Sequence, residues 1–390
     1  MPHIYGIDST GQPWTDAARK LAEEVAAPLA PEIDRQGRFP SESVHALTEQ
    51  GFPGLCLPVE FGGQGQTAAV FASVVEEIAH ACGSTAMIYV MHVVAAQAIV
   101  ASTTLSRRAK LLREIARGEH LTTLAFSESG SRSQFWAPMS KLIDNGDDCV
   151  ISARKSWVTS ANHADSFVSS AQSPGNALPA ELTLYLLDPK SPGVRIASEF
   201  NGLGLRGNDS VPVDIESARV PQGDMLTNHG AGSEMTLGVL LPWFIVGTSA
   251  MANGLCRATV DRTTEHLSKH KFENTGSHLR DLPNLRSRLA QMSVLTQQSR
   301  ALLGFALASM LAGDQQTPVL LMQARTASLS AAVDVTDLAM KTCGGAAFSK
   351  QLPIDRLFRD ARAGWVMAPT VDHLWDFIGR SLTGMPLFES

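Results

Sequence analysis

Near residue 121 the hydrophobic rhythm of this chain changes, and near residue 231 it changes back. Before the first change, apolar residues repeat every three or four positions. Ala18, Leu21, Val25 and Leu29 form one such set, and Val70, Val74, Ile78 and Ala81 another. That spacing predicts amphipathic helices. Between the two changes stand short alternating or β-branched runs: LTTLAFS, CVISA, SWVTSA, LTLYLLD, GVRIA and VPVDIES. Turn signals separate them, among them Asn145-Gly146, Asp188-Pro189 and Pro192-Gly193. Asn-Gly between two such runs predicts a hairpin. After residue 231 the helical stripes return, as Leu285, Leu289, Met292 and Leu295, then Leu320, Ala324, Ala327, Ala331 and Val335. This order predicts an α+β chain in three parts. An N-terminal helical domain spans 1–120 and a middle antiparallel β-barrel domain spans 121–231. A C-terminal bundle of four or five long helices spans 232–390.

Charge and cysteine content narrow the partners. The net charge is -6, which argues against nucleic acid, because phosphate binding needs a basic face. Cys56, Cys82, Cys149, Cys256 and Cys343 are scattered and form no CxxC. A disulfide framework or metal site is not expected, and a reduced cytoplasm fits. The first residues carry no basic, apolar leader pattern. From Met235 to Cys256 no charged residue occurs. That stretch is long enough for a membrane span, but Pro242 and Asn253 interrupt it, so it is read as a helix buried in the bundle. No GxGxxG follows a strand, and neither GxxxxGK[ST] nor GxSxG occurs. The Rossmann, P-loop and hydrolase readings therefore lack their motifs.

Five stretches carry a family resemblance: LPVEFGGQG, AFSESGSRS, KSWVTSANHAD, GLGLRGNDS followed by ARVP, and CGGAAF followed by LPIDRLFRDAR. In order and spacing they resemble the motifs of the acyl-CoA dehydrogenase superfamily. The resemblance implies FAD as cofactor, an acyl-CoA or similar thioester as substrate, and a homodimer or homotetramer. It places Phe126 and Ser127 at the flavin pyrimidine edge, where donors stabilise reduced flavin. It places Trp157 against the ring and Thr159 near N5. Ser133 falls on the pyrophosphate or thioester. Gly344 and Gly345 form a turn against the adenosine half of a neighbour's FAD. Lys341 and the Lys269–Phe272 segment stand where the family has a Gln and an RxxFG element, and Thr370 also falls in the cofactor set. Arg132 stands where the family has Gly, and could pair with an anionic part of the substrate.

The family pattern breaks at its base. Dehydrogenation needs a carboxylate that removes the acyl α-proton. In most members it lies in a YEGT loop, and here the matching stretch carries Ala368 and Pro369. The other known position, on the first long C-terminal helix, carries Trp243 or Phe244. Three explanations follow: a relocated base, with Glu234, Asp372, His92 and His373 as candidates; chemistry without a strong base; or thioester binding without turnover. The second is preferred, as an oxygenase with O₂ as partner, and includes a desulfinase as a variant. An apolar substrate pocket lined by Trp243, Phe244 and Trp365 would exclude water.

Overall fold

The apolar stripes of the first and last thirds bury one another. The computed structural model describes residues 3–132, 134–175, 178 and 181–387. Six helices come first: α1 (Gln12–Leu21), α2 (Ala27–Gln36), α3 (Ser41–Glu49), α4 (Ala68–Ala81), α5 (Gly83–Ala101) and α6 (Arg108–Ala116). Seven strands follow: β1 (Thr122–Ala125), β2 (Ile143–Asp144), β3 (Asp148–Val158), β4 (Ser166–Gln172), β5 (Leu182–Leu187), β6 (Val194–Ile196) and β7 (Val211–Pro221). The chain ends in α7 (Gly232–Met235), α8 (Leu241–Lys269), α9 (Pro283–Ala312), α10 (Thr317–Cys343), α11 (Gly345–Phe348), α12 (Ile354–Val366) and α13 (Val371–Leu382). Only α8, α9 and α10 are long, so the bundle has three long helices where four or five were expected.

One hydrophobic core runs from α1 through α4 and α5 to α8, α9, α10 and α13. The helices on either side of the strands are therefore one packed body. α5 explains why: every residue from Gly83 to Ile99 is buried. A helix apolar all round needs neighbours all round, and α4 and α8 supply them. Close approach of α8 to α4 requires a glycine, since a side chain at Gly254 would meet the Glu76 carbonyl. By length and hydropathy Gly83–Ala101 and Gly232–Lys269 both match a membrane span. Their apolar windows are 89% and 56% buried inside the fold, which makes them core helices here.

The strands form two sheets around a second core. Their orders are β1-β4-β5 and β2-β3-β7-β6. The four-stranded sheet is antiparallel, with β2 and β3 joined by the hairpin expected at Asn145-Gly146. The other sheet departs from the antiparallel expectation, because β1 runs parallel to β4. CVISA and the start of SWVTSA belong to one strand, β3. β4, with the sequence SFVSSAQ, is central in its sheet and buried from Ser166 to Ala171. A strand buried on both faces does not alternate, and its four-residue share of Ser and Ala leaves no β-branched run to notice.

The N-terminal segment is tied in by buried charge. Glu76 on α4, 2% exposed, accepts from Tyr5, from Arg257 at 2.8 Å and from Arg300 at 3.0 Å. Asn253 bridges Tyr5 to Ser299. Glu76→Ala would take a buried acceptor from Arg300 and leave Arg257 with Glu77 alone. The expected loss is about 3–5 kcal/mol, read as a lower denaturation midpoint with unchanged slope in urea unfolding.

Candidate active site at the seam of the two cores

β3 builds the site by breaking its own rhythm. Cys149, Ile151, Ala153 and Lys155 point inward in turn. A period of two would bury Trp157 next. Instead Val158 is buried and Trp157 is 65% exposed. The ladder gives the cause: Lys155 faces Val213 and Val158 faces Val211, so β3 carries one extra residue. Trp157 absorbs this bulge with a φ of 60°, in the left-handed region. A bulky residue there costs on the order of 1–3 kcal/mol, and such strain clusters at functional sites. The bulge turns the indole out of the sheet and onto a cavity.

The cavity lies between the sheets and the helices. The strand side contributes Leu124, Phe126, Ser127, Ser156 and Trp157. The helix side contributes Met91, Thr236, Leu240, Leu241 and Phe244. Phe135, Ala368 and Pro369 close it. Thr236 to Leu240 form a π-helical turn before α8, a widening that recurs at functional sites. Among these lining residues none is ionisable.

A buried ion pair holds the strand-side wall. Lys155 Nζ lies 2.7 Å from Glu128, with the two side chains 0% and 2% exposed. Lys155 also donates to the Ser170 carbonyl at 2.7 Å. Glu128 accepts the Met139 and Ser140 amides at 2.7 and 2.9 Å, and the Ser140 hydroxyl. Burial opposes ionisation of Glu128, but the Lys155 ammonium and the Ser140 donors overcome it and hold the carboxyl below its usual range. The loop so pinned delivers Phe135 to the cavity. It also delivers Trp136 to His373 and Phe377 of α13, at 5.4 and 5.5 Å between rings.

A second buried cation stands behind the helix-side wall. Arg325 on α10 is fully buried. Its Nη2 donates to the Met367 carbonyl at 3.0 Å, and its guanidinium lies 4.6 Å from the Phe244 ring centre. Burial pushes its pKa down to about 9.

The expected site residues separate into three groups. Phe126, Ser127, Trp157, Phe244 and Ala368 meet at the cavity. Thr159 lies next to it but is buried, its hydroxyl 2.9 Å from Ser210. Trp243 packs on Phe71 instead, Trp365 is 46% exposed on α12, and Arg132 is exposed with φ 50°. Thr370 caps α13, accepting the His373 amide. Ser133 lies outside the described residues.

None of the candidate bases lines the cavity. His92 is buried with its Nδ1 accepting the Thr122 amide at 3.2 Å. Burial, with the nearby His120, pushes its pKa down to about 4, so it stays neutral and joins α5 to β1. Glu234 and Asp372 are exposed. His373 bonds Thr370 at 3.1 Å and faces Trp136. The remaining cofactor candidates gather at the far end of the bundle. Lys269 is exposed and pairs with Glu265; Phe272 is 39% exposed; Lys341 is exposed at the end of α10; Gly344 and Gly345 follow it.

Sequence reasoning missed Met91, Leu124, Phe135, Ser156, Thr236, Leu240, Leu241 and Arg325. The first seven are ordinary residues whose role comes from packing. Arg325 did carry a signal, as a charge inside the small-residue stripe of α10 from Leu320 to Val335.

Known proteins share this architecture. Models of the N-terminal, middle and C-terminal domains of acyl-CoA dehydrogenase match residues 10–119, 123–218 and 239–383. A probable acyl-CoA dehydrogenase of Bacillus subtilis is 26% identical over 352 residues, covering 89% of this chain and 91% of that protein. Butyryl-CoA dehydrogenase of Megasphaera elsdenii shares the fold with a TM-score of 0.91 at 21% identity, covering 97% of this chain and 99% of that one. A prolyl acyl carrier protein oxidase shares it with a TM-score of 0.85 at 19% identity, covering 96% and 99%. The chain belongs to the acyl-CoA dehydrogenase family, whose members are FAD-dependent oxidoreductases.

Proposed function

We propose that this chain is a FAD-dependent oxidoreductase acting on an acyl thioester, and that no protein carboxylate serves as its base. The carrying observation is the cavity itself: among its lining residues no side chain is ionisable. Simple α,β-dehydrogenation needs a base within contact of the α-carbon. Oxygenase-like turnover, with O₂ as co-substrate, does not need one at this place and gains from a dry, apolar wall. Relocation of the base is disfavoured because His92 is neutral and tied to Thr122, while Glu234 and Asp372 face solvent. The similar oxidase acts on a prolyl acyl carrier protein, so the thioester carrier here is either CoA or a carrier protein.

The residues fit FAD. Trp157 is held outward by a strained backbone and offers an open indole face beside Phe126 and Ser127. Gly344 needs its glycine for φ 52° and ψ −129°, whereas Gly345 does not. A side chain at either would meet nothing within 4 Å in this chain. That open space beside Lys341 suits the approach of a cofactor held between copies. FAD, when bound, supplies the two-electron redox chemistry. The chain's part is to orient and enclose: Trp157 and Phe126 as flat walls, Ser127 and Ser156 as polar groups at the mouth, and Phe244, Leu240 and Leu241 as a water-excluding floor.

Assembly into a homodimer or homotetramer follows from the same reading. α9 exposes Val294, Phe305 and Leu311, at 55, 61 and 77%, and apolar exposure on this scale marks an interface. Light scattering is expected to give a multiple of the 41.7 kDa chain mass; a monomer at micromolar concentration would remove that part.

Purified protein is expected to be yellow with FAD. Trp157→Ala is expected to weaken FAD by roughly fivefold, from about 1 kcal/mol of lost aromatic contact. Protein that neither carries nor takes up flavin would end the reading. Anaerobic acyl-CoA without an added electron acceptor should leave the wild-type flavin oxidised, while Ala368→Glu should bleach it. Bleaching in the wild type would restore the dehydrogenase.

A further inference from the structure

Arg325 is the largest fully buried side chain in the described structure. Its Nε and Nη1 have no hydrogen-bond partner, and no carboxylate lies within 4.0 Å of it among the described residues. One carbonyl, that of Met367, and one ring face, that of Phe244, are its polar company. A guanidinium so placed is costly to folding, because burial removes its hydration and nothing of opposite charge replaces it. A residue that costs stability persists when it serves a function. Its location says which. Phe244 lines the cavity, and Met367 immediately precedes Ala368 and Pro369, which line it too. The cation therefore sits directly behind one wall of a cavity that contains no ionisable side chain of its own. Burial keeps its pKa near 9, so it remains charged at neutral pH.

We propose that Arg325 determines specificity by charge, and that the group received against the Phe244–Pro369 wall is anionic, as in an acyl group that carries a carboxylate. The proposal rests on the reading above only in taking this cavity as the reacting site. Loss of an acid at position 368 and an unpaired arginine behind it belong together: the wall offers positive potential with no protein anion to neutralise it. In a low-dielectric cavity such a charge acts through an aromatic ring and over several ångströms. An anion entering the cavity becomes its counter-ion. Arg325 does not touch the reacting atoms; it positions the Met367 turn and sets the sign of charge the cavity accepts.

The test uses the purified full-length protein with whatever flavin it holds, and the isosteric probes benzoate and benzamide. Ligand-observed NMR titration is expected to show benzoate bound about tenfold more tightly than benzamide. Arg325→Lys is expected to retain a preference for benzoate. Arg325→Met, which removes the charge at similar length, is expected to abolish it, bringing benzoate down to the affinity of benzamide for the same variant. Its melting temperature is expected to be equal or higher, since an apolar residue in a buried, unpaired ionic position is often neutral or stabilising. That combination separates a charge role from a structural one. A wild type with no benzoate preference, no benzoate binding at millimolar concentration, or a preference that survives Arg325→Met would each overturn the proposal. Absence of FAD would instead overturn the redox reading, since the probe titration is read on the ligand signal and not on the flavin.

Discussion

The contact between Lys155 and Glu128 decides how the middle of this molecule becomes a site. Two charges are taken out of water and satisfied within one small volume, by each other, by the Ser170 carbonyl and by the Met139 and Ser140 donors. Such a pair is worth little as net stability, because desolvation offsets most of the attraction. Its value lies in specificity of geometry. Lys155 fixes the phase of β3 up to the bulge, and Glu128 fixes the loop that leaves β1. Two residues beyond the first part of that lock, Trp157 turns outward. Seven and eight residues beyond the second, Phe135 reaches the cavity and Trp136 reaches α13. Loosening either partner would free both β3 and the loop that carries Phe135.

The seam position follows from how the cores are divided. Helices from both ends of the chain share one apolar core, and the sheets own another. A cleft between two cores can be lined by side chains that neither core needs. Met91 shows the principle: it is 8% exposed on α5, the most buried helix, yet it borders the cavity. The π-helical turn from Thr236 to Leu240 widens the helix side at the same point.

Much of the fold was legible because its signals are local. The switch from period three-and-a-half to period two marks the sheets, and Asn145-Gly146 marks its hairpin. Motif order identified the family and brought Phe126, Ser127, Trp157 and Ala368 to one place on the page, as the cavity does in space. What stayed hidden depends on tertiary packing. β4 does not alternate because both of its faces are buried. The parallel pairing of β1 with β4 has no sequence signature at all. Trp243 and Trp365 are large and aromatic, as pocket residues often are, but helix phase turns one toward Phe71 and leaves the other in solvent. His92 illustrates a different limit: residue type marked it as a base, and only burial and the Thr122 amide reveal a neutral tether.

Charge accounts for the site better than residue identity does. A carboxylate at position 368 would sit on the turn held by the Arg325 guanidinium, and the two charges would balance. With alanine there, the cation faces a ring and a carbonyl, and no carboxylate pairs with it among the described residues. The cavity is thus apolar in its surface and positive in its field. These two properties work in opposite directions on a ligand. The apolar wall excludes water and favours neutral groups, while the field favours negative charge and grows stronger as water leaves. A ligand that satisfies both carries an anionic centre on an apolar body. A positive field of this kind lowers the energy of negative charge that develops within its reach. Alanine at position 368 and the buried Arg325 cation therefore act in one direction on the charge of a group in this cavity.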